Sequence, residues 1–140
     1  RDSYKWAPID SLVTRKDEIS FVDEGVLFVH HNSDSTVFDV TVRQQGMDQV
    51  KEQMFNPLKN LTYGGFLYGS GLSPSGTVGG TYINTDFTGW KLKGTDASSR
   101  HEFRVALHTD QSGSVETWQK ELKQVVDANT GNSAKQFYYH

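Results

Sequence analysis

Cysteine is absent from all 140 residues. That excludes disulfides, thiolate metal ligands and a thiol nucleophile, and it suits a reducing compartment. No apolar run approaches the roughly 18 residues that a membrane-spanning helix needs. No block of basic residues occurs either. The 14 Lys and Arg are spread along the chain against 17 Asp and Glu, for a net charge of −3. Nucleic acid is therefore a poor default partner, and contact with anionic lipid would have to be local. Internal repeats, low-complexity tracts and linkers are missing, so residues 1–140 read as one domain. A domain of this length can bury about two-thirds of its unfolded surface without a covalent staple.

What is present is periodic. "YKWAPIDSLV" (4–13) reads as a short helix with Trp6, Ile9, Leu12 and Val13 on one side; Pro8 suits only its first turn. "GMDQVKEQMFNPL" (46–58) places Met47, Val50, Met54 and Leu58 on one stripe of a 3.6-residue period, and Pro57 stops it. "SVETWQKELKQVVDANTG" (114–131) carries a third stripe, Val115, Trp118, Leu122, Val125 and Val126. Ser114 can cap its start and Gly131 can close it.

The rest reads as strands. The run from Ile19 to His31 is apolar, Asn32 to Ser35 form a polar turn, and Phe38, Val40 and Val42 then alternate on one face. "GGFLYGSG", "TVGGTYINTD" and "TGWKLKGT" are short aromatic-containing strands, while "GLSPSGTVGG" (71–80) reads as a flexible hairpin tip. "HEFRVALHTD" (101–110) alternates, with His101, Phe103, Val105 and Leu107 on one face and Glu102, Arg104, Ala106 and His108 on the other. Helix, two strands, helix, three or four strands, helix implies an antiparallel meander with helices packed on it, an α+β class.

Several groups invite a chemical reading. His30 and His31 are strand neighbours and face opposite sides, so they do not share a metal. Glu102, Arg104 and His108 put an acid, a cation and an imidazole on one sheet face, the set a metal-free ribonuclease uses. The ordinary expectation for that set is a solvated strand face. "GLSPSGTVGG" lacks the lysine of a phosphate-binding loop. "NLT" (60–62) is a formal glycosylation acceptor that reads as a chance match in a loop.

The stretch "NLTYGGFLYGSG" (60–71) carries a resemblance. Phe55 is followed by Leu61, Gly65, Phe66-Leu67-Tyr68 and Gly69, a spacing similar to that of profilins, small actin-monomer-binding proteins. "KWAPIDSL" resembles their first helix, and "RVALHTDQSGSVETWQKEL" their last strand and helix. Phe38 stands where the family has a hairpin Trp, and the Gly71–Gly80 segment is inserted, so the likeness is to a distant, archaeal or deep-branching member.

The resemblance implies a profilin-like fold: a central antiparallel sheet with the N- and C-terminal helices on one face and a middle helix. It implies a non-enzymatic, cytoplasmic regulator of the cytoskeleton, without cofactors. By resemblance, the actin-monomer surface would comprise Lys91, Lys93, Arg104, Gln111, Gly113, Glu116, Gln119 and Lys120. A proline-rich-peptide site would comprise Tyr4, Trp6, Phe38, Phe137, Tyr138 and Tyr139. Phosphoinositide head groups would be further ligands. The other readings are a sensing or scaffold domain of the PAS, roadblock or longin type, and the ribonuclease.

Overall fold

The computed structural model describes residues 16–32 and 36–130. A hairpin of β1 (Glu18–Val22) and β2 (Gly25–His31) leads to helix α1 (Val37–Gln44) and a 3-10 helix (Asp48–Gln53). Strands β3 (Leu61–Tyr68), β4 (Leu72–Tyr82), β5 (Thr85–Gly94) and β6 (Arg104–Gln111) follow, and helix α2 (Val115–Asn129) closes the described chain. A four-stranded sheet has the order β1-β2-β3-β6, every neighbour antiparallel, while β4 and β5 form a separate two-stranded ribbon. The class is α+β, as the element pattern implied.

Helix α2 forms because its apolar residues recur on one stripe and its first turn is capped. The Ser114 hydroxyl accepts from the Thr117 N–H at 3.2 Å. The stripe lies on the sheet, where Trp118 and Leu122 bury against Leu27 and Val29, with Phe66, Ala106 and Val115 packed around them. Trp118 is 0% exposed. Its indole N–H donates to the His108 carbonyl at 3.3 Å, so the one polar atom of the ring is satisfied inside the core.

Register decides which residues meet that helix. The cross-strand rows Leu27–Phe66–Ala106, Val29–Gly64–His108 and His31–Thr62–Asp110 share the helix side, since side chains alternate along each strand. Gly64 is required there: a Cβ on it would collide with the carbonyl oxygen of Phe28. Most of "NLTYGGFLYGSG" thus forms a single strand, with Gly64 and Gly65 inside it and Gly69 just past its end. Thr62 of the formal glycosylation acceptor is fully buried and donates to the Asn60 carbonyl.

Four local expectations change. The first hairpin turns at Asp23–Glu24, with Asp23 at φ 49°, so the Ile19–His31 run is two strands. The alternating "VFDVTV" segment is helical. The Asp39 carboxylate reaches back to the Thr36 N–H at 3.1 Å, and this start signal outweighs the β-branched pattern. Val42 is buried from that helix. The middle helix shrinks to the 3-10 turn Asp48–Gln53, which has no buried residue, so the Met47 stripe has no core to hold it. "GLSPSGTVGG" is most of β4, paired with β5; the turn falls at Ile83–Asn84, both at positive φ, where Ile gives no turn signal. The expected helix at 4–13 and the tail aromatics lie outside the described residues.

Trp118→Ala is expected to cost about 3–5 kcal/mol, a large share of the roughly 5–15 kcal/mol that holds a small domain together; urea denaturation followed by far-UV circular dichroism reads it. Asp39 gives a pH signature. The Lys51 ammonium, at 2.7 Å, and the Thr36 N–H hold its carboxyl below the ordinary value. A depressed folded value means stability that is present at neutral pH and is lost as pH falls through it. Wild type should therefore exceed Asp39→Asn in stability at pH 7, and the gap should close in acid; a gap that is flat from pH 7 to pH 3 would refute the role.

Candidate functional site

Strand β6 presents its faces opposite to the sequence expectation. Arg104, Ala106 and His108 point toward α2, while Val105 and Leu107 point away from it. Val105 is 55% exposed, Leu107 66%, and Phe103 just before the strand 60%. The rows on this second face are Ile19–Phe28–Gly65–Leu107 and Phe21–Val26–Leu67–Val105, without a charged residue. A third row, His30–Tyr63–Thr109, borders them. His30 stacks on Tyr63 at 5.0 Å and pairs with Asp17 at 2.7 Å. The other side of the sheet carries α2, and no described helix covers this face. A sheet that is apolar on both faces needs two covering layers.

On the helix side, one polar cluster interrupts the core. His108 Nε2 lies 3.2 Å from Glu121 Oε2, and the Ser112 hydroxyl donates to the same oxygen at 3.0 Å. Ser112 is 4% exposed. Asp110, two positions beyond His108 on the same face, brings a carboxylate oxygen into the group. The His108 ring stacks on Trp118 at 6.1 Å between centroids. Strand position thus supplies two members and helix α2 a third. Glu121 was not singled out from sequence. Its signal was its place three residues after Trp118, on the flank of the sheet-facing stripe.

The expected actin-binding residues fall in separate places. Lys91 and Lys93 lie on β5 in the ribbon, Arg104 on β6 in the main sheet, and Glu116, Gln119 and Lys120 on α2. Gly113 is in the β6–α2 connection. Gln111 is engaged internally, donating to the Asn56 and Lys59 carbonyls at 2.9 and 2.8 Å. Glu116 has its carboxyl lowered by its own backbone N–H and by Ser114, as suits a helix start. Of the proline-rich-peptide set only Phe38 is described; it lines a groove of about 690 Å³ with Lys51, Phe55 and Asn56. Tyr4, Trp6, Phe137, Tyr138 and Tyr139 lie outside the described residues.

The ribonuclease set does not converge. Arg104 and His108 share a face but stand four residues apart, about 13 Å along a strand. Arg104 is held by Glu102 at 2.7 Å and by the Asn129 and Thr130 carbonyls at the end of α2, and the Glu102 carboxylate raises its affinity for the proton. His108 is held separately by Glu121.

Paired substitutions test the orientation of β6. Leu107→Lys should change stability by no more than about 0.5 kcal/mol. Ala106→Lys, directed at α2, should cost roughly 1–3 kcal/mol through overpacking. Chemical denaturation reads both, and equal costs would overturn the assignment of faces.

Comparison with known proteins corrects the profilin likeness. No curated protein and no solved structure matches the chain. Phe55, the first residue of the profilin-like spacing, is 75% exposed beyond a 3-10 turn and does not end a packed helix. The family model DUF5703_N, described as "Domain of unknown function (DUF5703)", matches residues 1–139. With that match over nearly its whole length, the chain belongs to the DUF5703 family rather than to the profilins.

Proposed function

We propose that this chain is a non-enzymatic docking domain whose open sheet face binds the apolar face of a second β-sheet layer on a partner protein. One observation carries the reading: β6 turns Arg104, Ala106 and His108, each half-buried, toward α2 and leaves Phe103, Val105 and Leu107 in solvent. Ile19, Phe21, Phe28 and Leu67, half-buried on the same face, continue this apolar surface, and Val26 between them is buried. Rows of apolar side chains set by strand pairing suit the apolar rows of another sheet, stacked about 10 Å away. Contiguous exposed apolar surface is uncommon on domains that work alone and marks interaction sites. The face has an apolar centre and a polar rim at His30, Tyr63 and Asp17, the anatomy of a protein interface.

This reading falls within the scaffold class and departs from actin-monomer binding, whose motivation was the profilin spacing. No helix among the described residues is long and apolar enough to cross a membrane.

The test uses the chain alone, where the face has only its own copies to meet. Wild type should bind a hydrophobic dye and self-associate in sedimentation velocity at micromolar concentration. Val105→Glu combined with Leu107→Glu should lose both properties while keeping its circular dichroism spectrum. A dye-silent, monomeric wild type, or a double variant that behaves like wild type, would sink the proposal.

A further inference from the structure

We infer that His108, Asp110 and Glu121 form a binding site for a first-row divalent cation of the zinc type. Nothing in the docking reading requires it, since the cluster lies on the opposite side of the sheet. The three residues each offer one ligand atom, and these atoms lie within 4.8 Å of one another. His108 and Asp110 occupy alternate positions of β6 and so share a face by the pleat. Glu121 descends onto them from α2.

One pair of donors already has the spacing of two ligands on one ion. Two donors at about 2.0–2.1 Å from a tetrahedral zinc stand about 3.3 Å apart; His108 Nε2 and Glu121 Oε2 stand 3.2 Å apart. Asp110, whose Oδ1 accepts from the Gln111 N–H at 2.8 Å, brings its ligand atom within 4.8 Å of the other two.

The chemistry of the donors narrows the ion. One imidazole nitrogen and two carboxylates suit zinc, cobalt or manganese. Calcium would want six or more oxygens, and magnesium binds oxygen ligands with several waters retained. Charge also favours a dication. A neutral imidazole with two carboxylates carries −2, which the ion cancels, whereas a protonated His108 balances one carboxylate alone.

The surroundings fix the geometry. Ser112, buried, holds Glu121 by its hydroxyl at 3.0 Å, and Trp118 walls one side of the His108 ring. Such outer partners orient ligating side chains. Three protein ligands leave the remaining coordination position to water.

The chain without cysteine or added tag is titrated with Zn²⁺ by calorimetry and with Co²⁺ by visible absorption. One ion should bind per chain in the micromolar range, with Co²⁺ giving the intense bands of four-coordination. His108→Gln, which keeps a hydrogen bond to Glu121, and Glu121→Gln should each remove the Co²⁺ bands. Asp110→Asn should weaken binding by at least tenfold, and Ser112→Ala by about tenfold. His30→Gln and His101→Gln should bind like wild type. No binding below millimolar Zn²⁺, or binding unchanged in both His108→Gln and Glu121→Gln while these variants melt cooperatively, would overturn the site.

Discussion

The seating of Trp118 between helix α2 and the four-stranded sheet is the contact on which the rest of the described structure depends. The ring is fully buried, and its N–H is bonded to the backbone of β6. It therefore fixes both the depth of α2 and its position along the strand. Leu122 then meets Leu27 and Val29, and Glu121 arrives over His108. Gly64 is a separate constraint within the sheet, because the β2 backbone at Phe28 and Val29 leaves no room for a side chain there.

That seating also explains the open face. With α2 drawn onto the side of Ala106 and His108, strand alternation sends Val105 and Leu107 the other way. A single helix covers one side of a sheet and no more. The described core is correspondingly small, with Trp118, Leu122, Leu27 and Val29 at its centre. A second apolar layer is the natural complement, and the docking reading follows from that geometry rather than from any catalytic constellation.

The polar cluster under α2 is a different kind of feature. Only Ser112 of the group is buried; His108 and Glu121 are half-buried and Asp110 is exposed, and an ion pair so open to water adds little stability. Their hydrogen bonds are satisfied, and no buried side-chain polar atom among the described residues lacks a partner. The cluster is ordered without being needed to close the core.

The sequence by itself determined helix α2, its cap at Ser114, the strand character of β3 and β6 and the α+β class, because each rests on local periodicity. It did not determine α1, where Asp39 bonding to Thr36 overrode a strand-like alternation, nor the β4–β5 turn, where Ile83 adopts a conformation its side chain disfavours. The profilin-like spacing was real as a spacing, yet Phe55 points to solvent, since spacing carries no information on what a side chain packs against. Tertiary structure alone decided which face of β6 is inside. Alternation names two faces, and only the position of Trp118 chooses between them. It alone brought Glu121 to His108 and Asp110, because residues on a helix and a strand meet through packing, which no local pattern encodes.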